Sequence, residues 1–391
     1  MTSILFYLPV VTPWWFERII APMIRACAGK AKVSVMVPPL WSNTGIGPEH
    51  LAKCSDLEQV DWYVLDGDDH RSLREPDVDH PDLIELVEAI APDLTFCRSA
   101  DMLNPARFPG VVRYVMEGAV PPFDCDPAMA QIMPTLMDHG IMPDLNGDQK
   151  ARLLDLFRPW LEQQERQWGP ADRAAFLART GLPHDKRIIG VALEYEHEEM
   201  FFERHRMFAS NVALIAAVAA HLGEDCILAC TNHPLNELHG DNRALHAAVA
   251  AQGGRVRLLP SSPRRGEMTM QLARYCDGFV VQDSKSFGGP VWFGTSLLRL
   301  SAFRNGAWMR SYDAFEPFFA AVRSGTAQAA RAEDAALWFA FHFLDRVFDP
   351  ADPTLDAERL IGLARTAVDE TRWQPARDRL PDHGPAHADN A

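Results

Sequence analysis

Two short loops, 50 residues apart, carry the residue types most suited to chemistry. The first, Thr231-Asn232-His233-Pro234, follows the apolar run 225–230 and delivers a histidine at what reads as a strand end, with Pro234 fixing the turn. The second, Asp283-Ser284-Lys285-Ser286-Phe287-Gly288-Gly289-Pro290, follows the run 278–282 and places two hydroxyls, a lysine and two glycines ahead of a helix opening near Gly288. Helix-start N–H groups, hydroxyls and a cation aimed at one point make an anion cradle, and glycine lets a ligand approach the backbone closely. Both loops fall at the same edge of one sheet. His233, Pro234, Ser284, Lys285, Ser286 and Gly288 are therefore expected to hold a diphosphate or phosphodiester together. Singly, each feature has a plainer reading as a turn histidine or a helix cap.

A carboxylate, Glu117, ends the run 110–116 and is followed by Gly118-Ala119-Val120-Pro121-Pro122-Phe123. Apolar neighbours would raise its pKa toward the range useful for deprotonating a hydroxyl, and the plain alternative is pairing with Arg98 or Arg113. Two further stretches follow strand ends. Thr12-Pro13-Trp14-Trp15-Phe16-Glu17 offers Trp14 and Trp15 as faces for a sugar ring, with Glu17 beside them, or else as hydrophobic cover. Ser261-Ser262-Pro263-Arg264-Arg265 follows the third strand of the second series, a usual place in a nucleotide-binding α/β fold for the base and ribose, which Ser261, Ser262 and Arg264 would meet; its arginines could equally be solvated. Asp66-Gly67-Asp68-Asp69-His70 has the form of a metal-diphosphate clamp but reads more simply as an acidic turn. Glu194-Tyr195-Glu196-His197-Glu198-Glu199 is not a zinc-protease helix, because Phe201 stands four residues after His197; it reads as a loop and helix start. No metal site is expected.

These loops need a scaffold that ends many strands on one side. Short apolar runs alternate with amphipathic segments, the pattern of parallel strands covered on both faces by helices. The first series of strands is 3–11, 32–38, 59–66, 93–97 and 110–116; the second is 187–194, 225–230, 255–260, 278–282 and 296–301. Helices are expected over 16–27, 81–91, 150–165, 171–179, 208–222, 242–251, 267–275, 335–347 and 355–371. The division that follows is an α/β chain of two Rossmann-like domains facing across a cleft, residues 1–160 and 161–345. Residues 346–391 form a C-terminal helix and a tail expected to fray from Trp373 onward. Ligands in such sheets sit at the carboxyl ends of the strands, which puts the expected working site in the cleft.

Composition narrows the function class. The 391 residues are 47% apolar and carry a net charge of −15, with only six lysines against 32 arginines. Such a chain is a poor general binder of nucleic acid. Its seven cysteines are scattered, with no zinc spacing, which fits a reduced cytoplasmic protein. No basic, apolar leader and no run of about 18 apolar residues occurs, so no spanning segment is expected.

The stretch Leu182-Pro183-His184-Asp185-Lys186-Arg187-Ile188-Ile189, then Asn232-His233-Pro234, then Asp283-Ser284-Lys285-Ser286-Phe287-Gly288, resembles the GT-B glycosyltransferases of bacterial capsule and lipopolysaccharide assembly. It is most similar to the Kdo transferases and bacterial sialyltransferases, which use CMP-activated sugars, and the likeness spans roughly residues 182–300. The resemblance implies that His233 contacts the donor phosphate and that Ser284 and Ser286 stand for a serine pair, with Lys285 between them. It leaves open which serine is the phosphate partner. It also implies that Glu117 is the general base, with Met116 where the family's first acid stands. The expected donor is a nucleotide-sugar, CMP-Kdo or a similar keto-sugar, taken as substrate without any cofactor. The acceptor is a glycan or lipid-linked glycan, and a peripheral place at the inner membrane is left open. A UDP- or GDP-hexose transferase, a sugar-nucleotide epimerase using Glu194, Glu196 and His197, a CDP-alcohol phosphotransferase and an inactive glycan-binding scaffold are the alternatives.

Overall fold

The computed structural model describes residues 1–41, 44–65, 74–75, 78–197, 200–262, 266–365 and 367–379. Among them the chain forms twelve strands: β1 (Ser3–Tyr7), β2 (Lys32–Val37), β3 (Val60–Val64), β4 (Leu94–Cys97), β5 (Val111–Glu117), β6 (Ala130–Met133), β7 (Arg187–Ala192), β8 (Cys226–Thr231), β9 (Val256–Leu258), β10 (Gly278–Val281), β11 (Leu297–Arg299) and β12 (Val347–Phe348). All ten apolar runs expected as strands form one. β4, β8, β10 and β11 are buried at every residue, as strands covered on both faces must be.

The chain divides into two compact units. The first comprises Met1–Ala119, Cys125–Leu136 and the segment from His342. It holds a seven-stranded sheet of order β12-β6-β5-β4-β1-β2-β3. The five strands β1 to β5 run parallel, and β6 and β12 join antiparallel. The second unit comprises Val120–Asp124 and Met137–Phe341 around a five-stranded parallel sheet of order β11-β10-β7-β8-β9. Counted from its own first strand, each sheet has the 3-2-1-4-5 order of a doubly wound fold. Its ligand crevice lies where the order reverses. That point is between β1 and β4 in the first unit and between β7 and β10 in the second.

Three expectations differ from what the chain does. The sequence-based boundaries at 160 and 345 do not coincide with the unit boundaries, because the chain exchanges segments. The helix Gly147–Trp168 belongs to the second unit, where Phe157 packs on Phe123 at a ring distance of 5.2 Å, and Phe123 also meets Trp292 and Phe339. The helix Ala357–Ala364 belongs to the first unit, seating Leu360 and Leu363 in the core under the seven-stranded sheet. Second, β6 and β12 enlarge the first sheet beyond five strands. Third, the segment from Trp373 does not fray where it is described. Trp373 is fully buried at the head of the helix Trp373–Arg379, and its indole N–H donates to Asp345 at 2.8 Å. The rest of the expected tail, residues 380–391, lies outside the described residues, as does the acidic turn at Asp66–His70.

All seven cysteines are free thiols, six of them buried. Among the described residues no helix is long and apolar enough to cross a membrane, and no three His, Cys, Asp or Glu side chains gather as a metal site.

Glycine is required at one place that matters for the site. A Cβ on Gly288 would stand 1.8 Å from the Pro121 carbonyl oxygen. Gly288→Ala is therefore expected to lower stability by about 1–3 kcal/mol or more, since backbone must shift to admit the methyl. Gly147→Ala, with open space around it in the first turn of its helix, should be neutral or slightly stabilising. Urea titration of the two variants checks the contrast.

Candidate functional site

In the second unit, three loops leave neighbouring strand ends. The loop after β7 carries Glu194, the loop after β8 carries His233, and the loop after β10 carries Asp283 to Ser286. Because β7 lies between β8 and β10, its loop touches both others, and Glu194 bonds to each, beside the Glu196 N–H that donates to Asn236 Oδ1 at 2.9 Å. Glu194 Oε1 accepts from the Asp283 N–H at 3.0 Å, and its carbonyl accepts from Asn236 Nδ2 at 2.8 Å. Asn236 sits one turn after His233 in the helix Pro234–His239 and also donates to Asn232 Oδ1 at 3.0 Å. The other Glu194 oxygen pairs with Arg206 Nε at 2.8 Å, both side chains being at least nine-tenths buried. Arg206 donates as well to the Tyr195 carbonyl at 2.6 Å, and Asn211 bonds both the N–H and the carbonyl of Glu194. Burial pushes the Glu194 carboxyl up, against the pull of Arg206.

His233 caps its own helix, its Nδ1 accepting from the Leu235 N–H at 3.2 Å. A neutral imidazole with Nδ1 used as acceptor carries its proton on Nε2. Its ring lies 5.5 Å from that of Tyr195, which in turn stacks on His197. The expected turn at His233-Pro234 is thus also a helix start, with Pro234 in its first position.

Ser284 caps a 3₁₀ turn, Lys285–Phe287, that runs into the helix Gly288–Phe293. Its Oγ accepts from the Ser286 N–H at 3.1 Å and donates to Ser286 Oγ at 3.0 Å, so the two hydroxyls meet despite the intervening Lys285. The loop is held from below. Asp283 accepts from Arg299 at 3.1 Å and from the Ser301 hydroxyl, and its carbonyl accepts from His139 Nε2 at 3.1 Å. Burial pushes the Asp283 carboxyl up and the Arg299 guanidinium down, while the pairing opposes both. Gly288 does not face a ligand as expected; it is buried and pressed against the Pro121 carbonyl. Ser262 donates to Glu267 at 2.5 Å in the next helix, Ser261 is exposed, and Arg264 lies outside the described residues with Arg265.

In the first unit, Glu117 ends β5 as expected, but its carboxylate has a charged neighbour rather than a purely apolar one. Arg98, just past β4, donates from Nη2 to Glu117 at 2.8 Å and from Nη1 to Val115 O and Met116 Sδ at 3.3 Å. The plain alternative of an arginine partner is therefore realised, with Arg98 and not Arg113, which donates to Ala364 and Val112 carbonyls. The Arg98 guanidinium lies 3.7 Å from the Trp15 ring centre, a cation–π contact across the β1/β4 switch point.

That contact corrects the role expected of Trp15, which is 7% exposed and part of the core, so its face is not open to a sugar. Trp14 is 44% exposed. Glu17 pairs with Lys53 at 2.5 Å, whose hydrogen bond holds its carboxyl below the usual range. The residues that sequence reading missed are Glu194 as a connector, Arg206, Asn211, Asn236, Asp283, Arg299 and Ser301. Asp283 and Glu194 follow apolar strands just as His233 does; Arg206 and Asn211 carry no comparable signal.

No protein-family model matches the chain, and no curated protein matches it. Among solved structures it is similar to KpsC of Thermosulfurimonas dismutans, a beta Kdo 2,7 transferase, at 12% identity and a TM-score of 0.42, over 74% of this chain and 90% of that one. It is also similar to Anabaena Alr3699/HepE in complex with UDP-glucose, at 11% identity and 0.35, over 94% and 99% of the two chains. The ADP-heptose lipopolysaccharide heptosyltransferase II of E. coli matches at 14% identity and 0.26, over 77% and 85%.

The Arg98 geometry makes a stability prediction. Arg98→Ala strips a buried guanidinium from the partly exposed Glu117 and from Trp15 and is expected to cost about 1–3 kcal/mol. Glu117→Gln keeps an oxygen for Arg98 and should cost no more than about 1 kcal/mol. Urea midpoints of the two variants check this and establish Glu117→Gln as a folded probe.

Proposed function

We propose that this chain is a glycosyltransferase that moves a sugar from a nucleotide-activated donor to a glycan or lipid-linked glycan. One observation carries the reading: His233 and the Ser284–Ser286 hydroxyl pair stand at the carboxyl edge of one parallel sheet, on loops joined through Glu194 across its switch point. A nucleotide phosphate suits this group. The His233 Nε2–H donates to a phosphate oxygen. Ser284 spends its proton on Ser286, so the Ser286 hydroxyl is the one that donates to the ligand, and Lys285 adds positive charge. As the sugar–phosphate bond breaks, charge grows on the leaving phosphate, and each preorganised donor there is worth about 3 kcal/mol to the transition state. Ser261 and Arg264 are assigned to the nucleotide's ribose and base, and Trp14 to the acceptor's ring. Glu117 takes the acceptor hydroxyl's proton as that oxygen bonds to the sugar carbon.

The epimerase alternative asks for free carboxylates at the donor sugar. Glu194 and Glu196 instead give theirs to the Asp283 and Asn211 amides, which favours transfer. The donor we propose is a CMP-linked keto-sugar, supported by the His-Pro and Ser-Lys-Ser motifs, with no metal needed for its binding.

Thermal-shift titration with CMP, CDP, UDP and GDP in the presence of EDTA tests this. CMP is expected to stabilise most, by about 2.7 kcal/mol at 100 times its Kd. A preference for UDP overturns the CMP assignment, and no stabilisation by any nucleotide overturns the donor reading. Ser286→Ala should weaken nucleotide binding more than Ser284→Ala. Glu117→Gln should bind nucleotide normally and lose about 10²–10⁴-fold in transfer rate; an active variant removes Glu117 from the base role.

A further inference from the structure

Glu194 has no place in the chemistry just described, yet its four polar backbone and side-chain atoms are all engaged. Its N–H and carbonyl bond Asn211, its carbonyl also bonds Asn236, and its carboxylate spans Arg206 and the Asp283 amide. Two of these partners lead to the phosphate loops. Asn236 lies in the helix that His233 caps and is tied to Asn232, whose Oδ1 accepts from the His233 N–H at 2.9 Å. Asp283 directly precedes Ser284. A charged residue this deeply buried is costly unless its geometry is used, and simple packing would be served by an apolar side chain.

We infer that Glu194 is a positioning residue, which sets the His233 loop and the Ser284–Ser286 loop in mutual register so that both donate to one phosphate, without itself touching that phosphate. The inference rests on the nucleotide-sugar reading given above. Arg206 is the second half of the device. It fixes the Glu194 carboxylate from the side opposite Asp283 and holds the Tyr195 carbonyl, so the ring that faces His233 is anchored by the same guanidinium. Selective loss follows. Without the carboxylate the Asp283 amide loses its acceptor, and the serine loop is free to drift relative to His233, while surfaces that meet a nucleoside are untouched.

The test compares each nucleoside monophosphate with its nucleoside, using calorimetry on the full chain with CMP and cytidine, UMP and uridine, and GMP and guanosine. For the preferred base, wild type should bind the monophosphate at least 100-fold more tightly than the nucleoside. Glu194→Ala is expected to cut that ratio at least tenfold and to leave nucleoside affinity within twofold. Glu194→Gln, which keeps an oxygen for the Asp283 amide, should recover part of the ratio. Equal loss for nucleotide and nucleoside, or an unchanged ratio, overturns the positioning role. If wild type itself shows no phosphate preference, the nucleotide-sugar reading fails and this role fails with it, a result distinct from the previous one. Hydrogen exchange guards against a variant that is merely unstable. In Glu194→Ala the amides of Asp283 to Phe287 should exchange faster, with the β7 and β8 amides and those of Leu235 and Asn236 unchanged, because Asn236 keeps the Glu194 backbone carbonyl. Unchanged exchange in the serine loop, or faster exchange throughout the sheet, also overturns it.

Discussion

A carboxylate and a guanidinium buried side by side govern the carboxyl edge of the second sheet. Taking Glu194 and Arg206 out of water is repaid only if every remaining lone pair and proton finds a partner in good geometry. The demand explains what surrounds them. Asn211, the Asp283 amide, the Tyr195 carbonyl and, through the Glu194 backbone, Asn236 are the partners that the buried pair calls for. The three loops are thereby tied to one another by hydrogen bonds and an ion pair at their roots. A second buried pair, Asp283 with Arg299, does the same one strand further along.

The first sheet uses its switch point differently. Arg98 from the end of β4 lies over Trp15 from beyond β1 and reaches Glu117 at the end of β5, so one guanidinium spans three strand ends. Met116 turns its sulfur to the same guanidinium. The Glu117 carboxylate is partly exposed and is oriented by a hydrogen bond from the buried Arg98 guanidinium.

Much of this was legible in the sequence, and the reasons for the rest are physical. Parallel strands buried on both faces leave continuous apolar runs, and all ten of those were readable. β12 has two residues and sits in a segment with helical periodicity, while β6 is a four-residue antiparallel addition amid prolines, so neither leaves a pattern long enough to read. The unit boundaries were hidden because they depend on which core a helix seats in, and the faces of Gly147–Trp168 and Ala357–Ala364 do not say which. Among the candidate residues, His233, Ser284 and Ser286 in the second unit and Glu117 in the first lie at strand ends, where their positions after apolar runs put them. Trp15 misled because an aromatic after a strand looks the same whether it is covered or open; only the position of Arg98 decides. The connecting roles of Glu194 and Arg206 depend on a pairing across twelve residues of loop, which no local pattern encodes.

The exchange of segments between the units bears on how the gene can be cut. The chain passes from one unit to the other after Ala119, after Asp124, after Leu136 and after Phe341. No single break therefore yields two pieces that each own a complete sheet and core: a cut in the region of residue 137 separates β12, Leu360 and Leu363 from the sheet they finish and parts Phe123 from Phe157, Trp292 and Phe339, and a cut near 341 again leaves β12, Leu360 and Leu363 on a fragment without their sheet. The two halves cannot be evolved, swapped or expressed as independent modules in the way their matching strand orders suggest. Among the described residues, a hybrid that exchanged only the second unit would need four junctions, one at each of these passages.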